Sequence, residues 1–481
     1  RRVPAGAVLG ASLGGSALCG IGSWSARLAG LRGWGRWGPP IFADHGAGGP
    51  TFVERVHSIS TYLSLRVAVF VASVLLMAHV VLPRRPPGRK DAGRKTTLRP
   101  GGGIPSPVAA VCSLVVLLTL ASRAAAGTGS ILVAGSVNAD TFLPVGRFPS
   151  PGENLTLLPG RRPREDVPGG KGCNQAVAAS RLSGDDVRTA FLGRFGDDPA
   201  GTALERALVE AGVDTSPSRR CAGVPSGRGY VLVLPDGEVC AVVSGGSNAD
   251  GWSDLEDMSD GDLDGLVSSH SLLMLQCEVP ADVNLRLARA ARRTGVPVLL
   301  DAGGEDRDMD RELLECCSFV IPNETELGRL ARRMGGEGDS DPHEIDGGLV
   351  DAVLDAAGPR LDRETVVSTL SSARALQHAG ASNVLVTLGP RGSLLVRPGG
   401  SSAVYRPPCP LPPGASVVDE TGAGDCYRGA FAASLLGRRP PGGDPGDLDD
   451  GALGGCMARA SAAGALAVTR EGAAPSVPSG G

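Results

Sequence analysis

Val418-Asp419-Glu420-Thr421-Gly422-Ala423-Gly424-Asp425-Cys426-Tyr427-Arg428-Gly429-Ala430-Phe431 is the stretch whose reading decides this chain. A turn of small residues runs straight into an apolar segment of helical character, with a carboxylate one residue inside it. Backbone N–H groups at a helix start have no internal partners and point outward, so they form a ready anion site. An acidic side chain there repels a bound phosphate unless it has work of its own. The economical reading is a base beside an electrophilic phosphoryl group. Asp425 takes a proton while the N–H groups of Gly422, Ala423 and Gly424 stabilise charge. The alternative is a helix cap in which Asp425 only favours the positive helix end.

Upstream, Pro168-Gly169-Gly170-Lys171-Gly172-Cys173-Asn174-Gln175-Ala176-Val177-Ala178-Ala179 again passes from glycines into an alanine-rich helix. The glycines let the backbone approach a ligand closely, and Lys171 and Asn174 place polar groups on the same turn. Gly172 follows the lysine where a P-loop needs Ser or Thr, so this is not a P-loop. Gly135-Ser136-Val137-Asn138 does not supply a dinucleotide fingerprint after its strand either.

Around these motifs short apolar strands alternate with helical patterns. Strands are predicted at Ser130–Ala134, Thr189–Leu192, Leu272–Gln276, Val296–Leu300 and Phe319–Ile321, and helices at Pro199–Ala211, Ala281–Thr294 and Glu324–Met334. This order predicts a mostly parallel sheet covered on both faces, with ligands at the carboxyl ends of the strands. Asn138, Asp140, Glu278 and Asn323 all follow predicted strands. Tyr230–Leu234 and Val239–Val243 flank Pro235-Asp236-Gly237-Glu238, a hairpin signal. With Thr141–Pro149 and Glu153–Leu158 they form either a small separate sheet or an ordinary antiparallel edge. Gly335–Pro359, rich in Gly, Asp and Pro, is expected to be a surface insertion that tolerates disorder.

The 481 residues, 42% hydrophobic and 20% charged, are ample for a buried core. A net charge of −4 gives no electrostatic footprint for nucleic acid. The 11 cysteines lack zinc-type spacing, and reduced thiols are expected. Residues 1–129 differ from the rest. The apolar runs Val67–Leu82 and Val108–Ala121 are both shorter than a comfortable bilayer span. The second has the order of a signal segment: a basic flank, a short apolar core, then small residues. Organelle or plastid targeting, membrane association and a translated extension outside the mature protein all remain open. The folded domain that carries the motifs is expected to run from 130 to 481.

The motifs stand in the order found in the PfkB-type carbohydrate kinase family. The chain resembles that family, and its ribokinase branch, from about Ser130 to Ser476. Further matching pieces are Pro149-Ser150-Pro151-Gly152-Glu153, Gln276-Cys277-Glu278, Pro322-Asn323-Glu324-Thr325-Glu326, Thr387-Leu388-Gly389 and Val468–Ser476. The resemblance implies a ribokinase-like three-layer α/β sandwich with a small β lid, about 141–158 and 230–243, that pairs with a second subunit's lid in a homodimer. It implies ATP-dependent phosphorylation of D-ribose at O5 in the cytoplasm. The alternatives are a sibling kinase acting on another pentose, adenosine or pseudouridine, and a sugar-binding or membrane-tethered regulator without turnover.

The resemblance also carries roles to particular positions. Asn138, Asp140, Gly170, Lys171, Asn174 and Glu278 are implied as ribose contacts, with Asp425 as base and Lys171 assisting the anion hole. Asn323 and Glu326 are implied to handle Mg²⁺ and phosphate through water, although Asn-x-x-Glu is also a good helix start. Thr387, Gly389 and Gly392, with Gly424, are implied along the ATP. Ala460 stands where many relatives carry a polar residue near adenine. Asp419, Thr421, Ala467, Arg470, Gly472 and Ser476 are implied to frame a K⁺ ion. The chain stops at Gly481, before the last helix such proteins usually carry.

Overall fold

Ile131 and Val133 enter one apolar cluster while Leu132 and Ala134 enter another, and none of the four is exposed. Such alternation means that the first strand is covered on both faces. The structure, a computed structural model, describes residues 129–479 apart from 185–186, 236–237, 306, 335–344 and 439–442. The two N-terminal apolar runs lie outside the described residues. Among the described ones no helix is long and apolar enough to cross a membrane.

The described residues start with β1 (Gly129–Ala134), leave for β2 (Asn138–Pro144) and β3 (Arg164–Gly169), and return through α1 (Lys171–Leu182) to β4 (Val187–Leu192). Then come β5 (Arg194–Gly196), α2 (Pro199–Glu210), β6 (Val213–Asp214), β7 (Arg219–Cys221), β8 (Arg228–Val233) and β9 (Val239–Ser244). Leaving short helical turns aside, α3 (Asp260–Ser268), β10 (Leu272–Cys277), α4 (Ala281–Thr294), β11 (Val298–Gly304), β12 (Phe319–Val320), α5 (Glu324–Met334), α6 (Gly347–Ala357) and α7 (Arg363–His378) follow. The last part holds β13 (Asn383–Thr387), β14 (Ser393–Val396), β15 (Ala403–Arg406), α8 (Ala423–Leu436) and α9 (Asp450–Ala467).

Nine strands form the central sheet in the order β15-β14-β13-β12-β11-β10-β1-β4-β6. The pairings from β13 through β6 are parallel, and only β13–β14 and β14–β15 are antiparallel. Leu273 and Leu300 of the sheet meet Leu287 of α4 and Leu370 of α7 on one face. On the other, Met274 and Phe319 meet Val177 of α1, Phe431 of α8 and Met457 of α9. This is the expected three-layer α/β sandwich.

A separate four-stranded sheet, β3-β2-β8-β9, forms the lid. Its composition departs from expectation at one strand. Glu153–Leu158 forms none, and Arg164–Gly169 supplies the edge instead. Glu153 is engaged in a local turn, accepting from the Ser150 amide at 3.0 Å and pairing with Arg147. The expected insertion is also corrected in part: 347–357 is a helix, capped by Asp346, which accepts from the Gly348 amide at 2.9 Å. Its buried Val350 and Val353 join the core, so this half is structural.

Candidate active site

Gly422, with φ 77° and ψ 0°, ends the incoming loop in the left-handed region and opens α8. Glycine adopts that conformation without penalty. No side chain caps this helix start; the Ala423 amide donates to the Glu420 carbonyl at 3.2 Å within the turn, and the amides beside it have no side-chain partner. Asp425 sits in the first turn and is only 6% exposed. Asn174 Nδ2 donates to its Oδ2 at 2.9 Å, and Gln175 Nε2 donates to its Oδ1 at 3.0 Å. Two glycine-started helices therefore meet at one carboxylate. They can do so because Gly429 of α8 lies against α1, where a Cβ would come within 2.8 Å of the Ala179 nitrogen.

Burial raises the Asp425 carboxyl above the ordinary carboxylate range and the Asp301 charge adds to it, while Lys171, Arg428 and the Gln175 amide oppose the rise. A base moved toward neutrality takes a hydroxyl proton more readily. Asp301 organises the floor beside it. Its Oδ2 accepts from Gln175 Nε2 at 2.7 Å and Lys171 Nζ at 3.3 Å. Its Oδ1 faces Arg428 Nη2 at 3.2 Å and accepts from the Gly303 amide at 2.8 Å. A register shift between β10 and β11 pairs Gln276 with Asp301 but Cys277 with Gly304, so two extra residues bulge from β11 beside this carboxylate. Burial pulls the Lys171 ammonium down, yet Asp301, Asp425 and Glu326 together carry it upward, so it stays charged.

The lid brings further polar groups to the same place. Asp140 of β2 is 9% exposed, and a Cβ at Gly169 or Gly229 would collide with its carboxylate. Its pKa is pushed up to about 7, first by burial and then by Glu278, with the Gly229 amide opposing. Asn138 Oδ1 accepts from Asn248 Nδ2 at 2.8 Å. Glu278 accepts from Ser136 Oγ at 2.5 Å and from the Lys171 amide at 3.0 Å, which ties β10 to the start of α1. Gly170, φ 84°, supplies the turn before it. Asp140 Oδ1 and Asn174 Oδ1 are buried without hydrogen-bond partners. Buried polar atoms are nearly always paired, so each of these acceptors has capacity for a donor that a ligand can supply.

Asn323 and Glu326 behave as the helix-start reading requires. Asn323 Oδ1 accepts from the Glu326 amide at 2.8 Å, and Glu326 Oε2 accepts from the Asn323 amide at 2.8 Å. Glu326 also lies 3.7 Å from Arg428 Nη2, and its Oε1 and Lys171 Nζ crowd the place where Gly303 would carry a Cβ. The cap thus aims a carboxylate at the floor. Thr387 bridges to Asn323, and Gly389 (φ 57°) and Gly392 (φ 102°) turn the chain beyond it. Ala460 is fully buried in the core, and its neighbour Ser461 accepts from the Cys409 amide at 2.8 Å.

Oxygen donors suited to hard cations stand on the loop before α8. Asp419 accepts from the Thr421 amide at 2.9 Å and the Gly472 amide at 2.8 Å, with lone pairs to spare, and Thr421 Oγ1 is buried and unpartnered. Asp419, Thr421 and Gly472 are thus brought together; their oxygens suit a cation, and Arg164 Nη2, 3.6 Å from Asp419 Oδ2, shares that carboxylate. Ala467 O accepts from the Arg470 amide at 3.1 Å, and Ser476 Oγ donates to Ala473 O at 2.8 Å, so these four close the neighbouring turns. Among the described residues no group of three or more His, Cys, Asp or Glu side chains is placed to hold a metal.

Gln175, Asp301, Arg428, Asn248 and Ser136 carry much of this geometry without having been singled out from sequence. Gln175 and Arg428 lie inside the two quoted motifs, and Asp301 directly follows the predicted strand Val296–Leu300, which was the available signal.

A carboxylate buried at a glycine-turned helix start, beside the buried Arg428 and the half-buried Lys171, fits a phosphotransferase that acts on an alcohol group. Comparison with known proteins agrees. Residues 130–480 match the family model described as pfkB family carbohydrate kinase. The ribokinase of Arabidopsis thaliana is 31% identical over 350 residues, which span 72% of this chain and 78% of that protein. The ribokinase of Haemophilus influenzae is 28% identical over 349 residues, 73% of this chain and 95% of that one. The solved structure of Arabidopsis thaliana ribokinase complexed with ribose and ATP superposes with a TM-score of 0.56, covering 73% of this chain and 96% of that chain. The chain belongs to the pfkB family of carbohydrate kinases.

Proposed function

We propose that this kinase is an ATP-dependent ribokinase, moving the γ-phosphoryl group of ATP to the 5-hydroxyl of D-ribose. The observation that carries the reading is Asp425, buried at the uncapped start of α8 with each carboxylate oxygen held by an amide of α1. Asp425 takes the hydroxyl proton as the oxygen attacks, and the N–H groups of Gly422, Ala423 and Gly424 stabilise the transferring group, with Lys171 beside them. Asn138, Asp140, Asn174, Glu278 and the backbone at Gly170 bind the sugar hydroxyls, the orphaned oxygens of Asp140 and Asn174 taking donors from it. Thr387, Gly389 and Gly392 border the nucleotide.

Mg²⁺ on the triphosphate supplies charge neutralisation, and Glu326 with Asn323 would hold its water shell. K⁺ would be held by Asp419, Thr421 and the carbonyl-rich turns of Ala467, Arg470, Gly472 and Ser476, adding positive field behind the anion hole. The lid also supports a homodimer. All six residues of β9 are exposed, and Val242 at 67%, Val243 at 54% and Tyr230 at 44% leave an apolar edge open. Unpaired apolar strand edges are ordinarily covered by a partner.

A coupled ADP-release assay on ribose, fructose, adenosine and pseudouridine tests the substrate. Ribose is expected to give the highest kcat/KM. Preference for a nucleoside would remove the ribokinase reading while leaving the family intact.

A further inference from the structure

Arg428 is a buried guanidinium, 3% exposed, one helical turn beyond Asp425. Its Nε and Nη2 both donate to the Ile321 carbonyl, at 3.1 and 2.9 Å, and Nη2 also faces Asp301 at 3.2 Å and Glu326 at 3.7 Å. Nη1 forms no hydrogen bond among the described residues. Helical side chains lean toward the N-terminus, so a residue four places on lies over the first turn. Here Nη1 comes within 2.7 Å of the place where Gly424 would carry a Cβ. Nη1 is not among the fully buried unpaired atoms, so this donor of a charged group is open to an incoming acceptor, and a charged donor makes a strong hydrogen bond. Gly424 leaves the space through which the acceptor can arrive.

Asp301 fixes this arrangement, with Lys171 on Oδ2 and Arg428 on Oδ1. We propose that Arg428 is a second cation of the phosphoryl-transfer site, held by Asp301 so that its free Nη1 contacts the transferring group beside Gly424. This rests on reading Gly422–Gly424 as the phosphoryl pocket. In the transfer a lone pair of the sugar hydroxyl forms the new O–P bond and its proton passes to Asp425. The bond from the γ-phosphorus to the bridging oxygen breaks with its electron pair remaining on ADP. Negative charge on the three equatorial oxygens then lies between the N–H groups, Lys171 and Arg428. Asp301 acts through the two cations and is a positioning residue.

The test uses the full chain with Mg²⁺ and D-ribose, comparing the affinity of ADP alone with that of ADP plus aluminium fluoride, a planar phosphoryl mimic. In the unaltered protein the mimic should tighten ADP binding. R428Q should lose at least tenfold of that gain and about 100-fold in kcat, with ADP and ribose affinities each within about threefold. D301N should lose part of both. If R428Q is unfolded by circular dichroism, R428K decides alone. Its compact ammonium cannot span Asp301 and Gly424, so the mimic's gain must fall while ADP affinity holds. An unchanged gain in the folded variant overturns the role of Arg428. Absence of any gain in the unaltered protein overturns the pocket reading and this inference together. D425N, run in parallel, should keep the gain while losing turnover.

Discussion

Asn174 Nδ2 donates to Asp425 Oδ2 at 2.9 Å, joining the first turns of two helices whose contacting residues are 251 positions apart. The other end of the same amide, Oδ1, is buried and unpartnered. One side chain thus holds the proposed base and offers an acceptor to the sugar. Asn174→Ala should therefore raise the ribose KM and lower kcat together. A hydrogen bond to a charged group contributes about 1.5–3 kcal/mol, roughly 10- to 150-fold. Steady-state kinetics checks this, and a change confined to either constant would separate the two roles.

Gly429 makes a stability prediction with an unusual sign. Alanine in place of a mid-helix glycine ordinarily stabilises by about 1 kcal/mol. Here the added Cβ would lie 2.5 Å from the Ala178 Cβ and 2.9 Å from the Gln175 carbonyl. Overpacking of that kind costs about 1–3 kcal/mol. Gly429→Ala should lower the midpoint of urea unfolding and also kcat, because α1 carries both partners of Asp425. A higher midpoint would show that the two helices can part without loss.

Much of this was legible in the sequence for definite reasons. The helices Ala281–Thr294 and Glu324–Met334 match their expected bounds, the first closed by Gly295 in the left-handed region. The glycine turn before Asp425 and the cluster before Asn174 declared themselves because backbone geometry demanded glycine. The lid strand Arg164–Gly169 did not. Its sequence, Arg-Glu-Asp-Val-Pro-Gly, has no apolar alternation and contains a proline, which only an edge strand tolerates. The ion cluster stayed hidden because Asp301, Lys171, Arg428 and Glu326 come from different elements, and only the folded sheet sets them side by side. Gly347–Ala357 was obscured by the Gly- and Asp-rich residues ahead of it.

Sugar binding should depend on pH through Asp140. Its carboxyl stands at about 7 against an ordinary 3.8. Hydroxyl donors favour the charged form, so binding releases a proton near neutrality. Affinity for ribose should rise with pH below about 7, by up to about tenfold per unit, and level off above it. Asp140→Asn should flatten this dependence. Stability runs the other way. The folded state holds the extra proton between 3.8 and about 7, so stability falls as pH rises through that window. Titration calorimetry from pH 5.5 to 8.5 reads the first effect and thermal unfolding the second.

The open edge of the lid sets the expectation for assembly. Val242→Glu places a charge at the most exposed large apolar residue of β9. The solution mass should shift from dimer toward monomer, with little change in the unfolding midpoint because the residue makes no core contact. Light scattering decides it. A monomer before substitution, or an unchanged dimer after it, would remove β9 from the interface.

The most direct measurement is Asp425→Asn, assayed for turnover and for ribose binding in the same preparation. The amide keeps the shape but cannot take a proton. The account predicts kcat lower by about 10²–10⁴-fold, with ribose affinity within about threefold of the unaltered protein. Near-normal kcat would mean that Asp425 only caps its helix, and the reading of this site as a phosphoryl-transfer centre with Asp425 as base would be contradicted.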